Sequence, residues 1–120
     1  MTCVSRAASA LEKNPFYRSG DDLAPLLVPA TLKHLLRLAL FRRFFTQVMA
    51  PRGIYEYVIA RTRYIDAAFR QALADGFGQI LIFGAGFDTR ALRFADSLHT
   101  TRVFELDVPV TQQAKQARYR

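Results

Sequence analysis

Four apolar residues in a row, Ile80–Leu81–Ile82–Phe83, run straight into Gly84–Ala85–Gly86 and on into Phe87–Asp88–Thr89–Arg90. A short unbroken apolar run reads as a strand covered on both faces, as strands of a parallel sheet are. Small residues then allow a tight turn, and Asp88 can cap a helix reaching about Ser97, with Ala91, Leu92 and Ala95 facing inward. Arg102–Leu106 reads as a second strand, and Pro109 suits the first turn of a final helix. This order predicts a βαβα unit in which Ile80–Phe83 and Val103–Leu106 lie side by side and parallel. The fold class is therefore α/β, with a helical half in front of it.

That front half has its own punctuation. A short helix is expected over Ser5–Lys13, followed by breaks at Asn14–Pro15 and Ser19–Gly20. Asp21 or Asp22 can cap the apolar step Leu23–Val28, which Pro29 ends. Thr31 can cap a helix from about Leu32 to Met49 that is apolar on most sides, with Leu36, Leu40 and Phe44 sharing a side with Lys33 and Arg37. Such a helix is covered on more than one side, or serves as a lid or a membrane-surface helix. Pro51–Arg52–Gly53 breaks it. In the next helix Ile54, Tyr57, Val58, Ile65, Ala68, Phe69 and Ala72 form a stripe at helical spacing, closed by Gly76 and Gly78. Arg61 sits on that stripe. Either its stem packs while its head reaches water, or it is a cation aimed at an anionic ligand.

Composition narrows the function. An apolar fraction of 51% supports a core. Seventeen basic against ten acidic residues give +7, but the arginines are spread along helices, so no nucleic-acid partner is expected. A single cysteine, Cys3, and two isolated histidines, His34 and His99, supply neither a disulfide framework nor a metal site. Leu32–Met49 carries Lys33, Arg37, Arg42 and Arg43, which argues against membrane insertion. With no signal-like N-terminal run, a cytoplasmic location is expected.

The chemistry sits where the first strand ends. Gly84–Ala85–Gly86 supplies G-x-G, but position 89 is Thr rather than the third glycine of a dinucleotide fingerprint. The turn suits a cofactor without a pyrophosphate, S-adenosylmethionine, whose ammonium group a carboxylate at Asp88 could meet. A tight turn with no ligand has the same local sequence. Glu105 and Asp107 close the second strand, about 20 residues on, where a carboxylate can accept hydrogen bonds from a ribose diol. Two apart, they point to the same side while the strand persists. Either can instead cap the helix at Pro109, or both can be surface acids.

Together these segments carry a resemblance. Arg61–Thr62–Arg63–Tyr64–Ile65–Asp66, then Ile82–Phe83–Gly84–Ala85–Gly86–Phe87–Asp88–Thr89–Arg90, then Val103–Phe104–Glu105–Leu106–Asp107–Val108–Pro109 with Lys115 beyond, resemble the leucine carboxyl methyltransferase-like family, most closely its bacterial S-adenosylmethionine-dependent O-methyltransferases. Ser5–Arg6–Ala7–Ala8 and Asp21–Asp22–Leu23–Ala24 resemble that branch's N-terminal pieces. The resemblance implies a Rossmann-like class I methyltransferase fold. It also implies Arg61 on the carboxylate of the cofactor's methionine moiety, Gly84 and Gly86 admitting its backbone approach, Asp107 on the ribose with Glu105 nearby, and Arg6 loosely placed near the cofactor carboxylate. Ala85 and Asp88 complete the expected cofactor-binding set; no catalytic residue can be named.

The expected organisation is a helical cap or lid over residues 1–50 and the start of a cofactor-binding α/β domain over 51–120. Family enzymes need about seven strands, and two are visible, so the chain is expected to be the N-terminal part of a longer enzyme, inactive alone and open to self-association through an exposed sheet edge. The partner expected is a small-molecule methyl acceptor. The rival readings are a fragment of a dinucleotide-binding oxidoreductase and a basic helical protein that binds a membrane or a partner.

Overall fold

The computed structural model describes residues 2–49 and 53–119. The chain divides into two compact units, Met1–Tyr64 and Ile65–Arg120, with the boundary inside the longest helix.

The first unit is helical. Helix α1 (Thr2–Ala10) starts and ends earlier than its sequence suggests. Its Ala7 and Ala8 let neighbouring backbone approach, and they join Ala24, Val28, Leu36, Phe45, Tyr55 and Ile59 in one apolar core. Its polar face is buried as well, and Arg6 and Ser9 on it are paired. The Arg6 guanidinium donates to Asp21 Oδ2 at 2.7 Å, and Ser9 Oγ donates to the Tyr17 carbonyl at 2.7 Å while accepting the Ser19 amide at 2.6 Å. Buried polar groups stand only when so satisfied. The 3-10 turn Ala24–Leu26 has Leu23 rather than Asp21 or Asp22 at its cap position, but Asp21 Oδ1 accepts the Ala24 amide at 3.1 Å.

The single helix expected over 32–49 is three pieces. Helix α2 (Ala30–Arg37) starts two residues early, with Pro29 rather than Thr31 at the cap. Leu38 is extended (φ −73°, ψ 116°), after which α3 (Ala39–Phe44) runs into a π-helical turn, Phe45–Met49. The break re-aims the side chains: Leu36 is buried, but Leu40 is 85% exposed and Phe44 half-exposed. Arg42 bridges the break by donating to the Leu36 carbonyl and to Glu12 Oε1, both at 3.1 Å.

Helix α4 (Ile54–Ala74) buries a different stripe from the apolar one. Tyr55, Val58, Ile59, Thr62, Asp66 and Phe69 are inside, whereas Tyr57 is 59% exposed and Ile54 lies at the surface. Thr62 is accommodated because its hydroxyl donates to the Val58 carbonyl at 2.7 Å. The helix closes at Gly76 (φ +75°), whose amide donates to the Leu73 carbonyl while the Phe77 amide donates to that of Ala72. This is the two-bond glycine closure of helix ends.

The second unit is α/β, as expected. Strands β1 (Gln79–Phe83) and β2 (Arg102–Leu106) pair in parallel, with Ile80 opposite Val103 and Phe83 opposite Leu106. Helix α5 is only Arg90–Arg93, followed by a 3-10 turn at Ala95–Ser97, and α6 spans Pro109–Tyr119. Leu92 and Ala95 face out; Phe94 is the residue that packs, stacked on Phe69 at 5.3 Å. The strands are not covered on both faces. Ile80, Ile82, Val103 and Glu105 are half-buried, while Leu81, Phe83, Phe104 and Leu106 are exposed on the opposite face. Among the described residues each strand has one neighbour, so each keeps an unpaired edge.

Candidate functional site

The parallel pairing brings the carboxyl ends of β1 and β2 together, the place where open α/β sheets bind ligands. Two turns meet there. Gly84 and Gly86 take φ of +63° and +53°, a left-handed conformation that costs an L side chain about 1–2 kcal/mol. The Ala85 amide donates to the Leu106 carbonyl at 3.1 Å. The Gly86 amide donates to Asp107 Oδ2 at 2.5 Å, and the Val108 amide donates to Asp107 Oδ1 at 2.7 Å. Asp107 thus joins the glycine turn to the start of α6. Each of its oxygens accepts from one of these amides and, with two lone pairs, has room for a second donor.

Glu105 lies two residues before Asp107, and its Oε2 accepts from Lys115 Nζ at 2.5 Å. Lys115 is buried on α6, so that ion pair seats the helix against the strand end. Further along α6, Arg118 stacks over Phe87 at 4.6 Å. Asp88 is buried, and Arg90 engages both its oxygens: the Arg90 amide donates to Oδ1 at 2.8 Å and its guanidinium pairs with Oδ2. Arg90 also donates to Asp66 on α4 at 2.7 Å.

Gly84, Ala85, Gly86, Asp88, Glu105 and Asp107 therefore cluster at the strand ends. Arg61 is exposed on the part of α4 that belongs to the first unit, off the buried stripe. Arg6 is committed to Asp21. Sequence reasoning missed the roles of Asp66 and Arg93. Arg93 forks onto Asp66 at 2.7 and 2.8 Å. The signal was an acid on the helix before the strand and two arginines three apart on the helix after it. Nothing local says that they meet. Among the described residues no helix is long and apolar enough to cross a membrane.

Known proteins share stretches of this sequence. A protein of Mycobacteroides abscessus provisionally named an S-adenosyl-L-methionine-dependent methyltransferase is 35% identical over 97 residues, covering 81% of this chain and 29% of that protein. Similarly named proteins match at 45% identity over 62 residues in Mycobacterium avium, and at 47% over 58 residues in Mycobacterium tuberculosis, covering 52% and 48% of this chain but only 20% and 18% of theirs. The chain thus spans less than a third of the relatives it matches. No solved structure matches it. The leucine carboxyl methyltransferase family matches residues 1–120. The chain belongs to the leucine carboxyl methyltransferase family.

Proposed function

We propose that this chain is the N-terminal part of an S-adenosylmethionine-dependent methyltransferase that transfers a methyl group to an oxygen of a small-molecule or carboxylate acceptor. The observation that carries the reading is Asp107: a carboxylate at the end of the second parallel strand, held by the amides of Gly86 and Val108 and still able to accept from a ribose diol. The residues fit such a group. A Cβ at Gly84 would meet no heavy atom within 4 Å, so the turn presents open backbone there. When bound, S-adenosylmethionine supplies an already activated sulfonium methyl. The chain's task is then to bind and orient.

In this reading Gly84, Ala85 and Gly86 offer backbone to the cofactor, Asp107 takes the ribose, and Glu105 backs the site through Lys115. Asp88 belongs to the set through the turn it shapes, since Arg90 already engages both its oxygens. Arg61 is the ligand proposed for the methionine carboxylate, on the family resemblance alone. The N-terminal helices to about residue 50 form a cap, and a carboxylate acceptor needs no base. The location proposed is cytoplasmic.

Two strands do not enclose an adenine. Residues 1–120 alone are therefore proposed to be inactive and to self-associate through the exposed sheet edge, helped by the open apolar surface of Leu81, Phe83, Phe104 and Leu106. The test is radiolabelled methyl transfer from S-adenosylmethionine to small carboxylates and phenols. A relative of full length should label oxygen, and residues 1–120 should not. Labelling of nitrogen or carbon alone by the longer protein would overturn the acceptor class. Turnover by residues 1–120 would overturn the argument from missing strands.

A further inference from the structure

Buried charges beside the glycine turn are connected to one another. Asp66, on α4, is 2% exposed. Its Oδ1 accepts Arg90 Nε at 2.7 Å and Arg93 Nη2 at 2.8 Å, and its Oδ2 accepts Arg93 Nη1 at 2.7 Å. Arg90 passes the connection on to Asp88, and Arg93 Nε donates to Thr89 Oγ1 at 2.9 Å. Asp88 in turn donates its amide to the Ala85 carbonyl at 2.7 Å, the middle residue of the glycine turn. One carboxylate on a preceding helix is thereby tied, through two guanidinium groups, to both side chains that shape the turn's exit.

We propose that Asp66 is a positioning residue for the glycine turn: it holds Arg90 and Arg93, which hold Asp88 and Thr89, so that the Ala85 and Gly86 amides keep the orientation in which they meet Leu106 and Asp107. The proposal gives the buried acid of α4 a task in the site assigned above, and it rests on that reading for its functional meaning. Bidentate guanidinium–carboxylate pairing supplies the required geometric precision. An asparagine at 66 keeps the size but loses charge and one acceptor; a glutamate keeps both and shifts them by one methylene.

Amide hydrogen exchange of the 120-residue chain, followed residue by residue by NMR, tests this without any cofactor. In Asp66→Asn, protection at Ala85, Gly86, Asp88 and Arg90 should fall by about tenfold or more, while the β1–β2 ladder amides stay within about twofold of the parent. Asp66→Glu should recover part of the loss at the turn. Unchanged protection at the turn would overturn the proposal. So would an equal loss at the turn and the ladder, which would make Asp66 a general stabiliser of the unit, and so would a variant that does not fold. A parent protein that fails to bind S-adenosylmethionine would count against the cofactor reading but leave the exchange result standing.

Discussion

The two units solve the problem of an interior in opposite ways. In the helical unit the buried side chains are mainly apolar, with Ala7, Ala8, Ala24, Leu27 and Leu36 all at most 1% exposed, and the polar groups inside are the Arg6–Asp21 pair and a few hydroxyl side chains. In the α/β unit the balance is inverted. Asp66, Asp88, Thr89, Arg90 and Lys115 are buried, while Leu81, Phe83, Phe104 and Leu106 lie open. Apolar burial is non-directional and sets compactness. Charge-assisted hydrogen bonds are directional and set orientation. The strand-end turns are thus fixed by directional bonds more than by apolar burial.

The largest effect should come from Asp66→Ala. It leaves two buried guanidinium groups without their shared carboxylate, and breaking a buried pair costs about 3–5 kcal/mol. Residue-resolved amide exchange should show the loss foremost at the turn, Ala85, Gly86, Asp88 and Arg90, with α1 little affected. An equal loss in α1 would break the distinction between the units. Leu36→Ala is the reverse experiment. A fully buried leucine in the apolar core should cost about 2–4 kcal/mol, read in the helical unit. If β1 and β2 lost protection as much as α1 did, the two interiors would not be separate.

Gly86→Ala should cost about 1–2 kcal/mol through its positive φ rather than through crowding, since the nearest atom to an added Cβ is Asp107 Oδ2 at 3.9 Å. A Gly86→Ala protein as stable as the parent in urea would show that the turn relaxes freely. The smallest effect should be Tyr55→Phe. Burial foremost, then the negative charge of Glu12, pushes the Tyr55 phenol above its ordinary value of 10.0. Among the described residues its hydroxyl has no hydrogen-bond partner, although the Ser9 hydroxyl is near enough to offset the shift slightly. At neutral pH the substitution should change stability by less than about 0.5 kcal/mol. A group whose folded pKa is raised contributes stability that is intact below its unfolded value and is lost as pH rises past it. The helical unit should therefore weaken above about pH 10, and less so in Tyr55→Phe. The same alkaline loss in both proteins would assign it to other groups.

Much of the fold was legible because its signals are local. The apolar run before Gly84, the proline at 109, and the carboxylate at Asp21 each act on residues within a turn of themselves, and each element appears where its signal lies. The break at Leu38 was not legible, since no glycine or proline marks it and Arg42 stabilises it from four residues away. The buried stripe of α4 is hidden for a related reason. Asp66 looks like a surface acid until Arg90 and Arg93, more than 20 residues on, are seen to neutralise it. The same pairing changes the meaning of Asp88, which reads in the sequence as a free charge beside the turn. The exposed faces of β1 and β2 show the opposite limit: an all-apolar strand states that cover is wanted, not which residues provide it.

The claim that the joined turns are the cofactor site is tested most directly by titrating the isotope-labelled 120-residue chain with S-adenosylmethionine and following each backbone amide by NMR. The expected result is weak, fast-exchanging binding, with shifts concentrated at Gly84, Ala85, Gly86 and Val108 and abolished in Asp107→Ala. Shifts that leave these amides in place and gather elsewhere, or binding that survives Asp107→Ala unchanged, would contradict it.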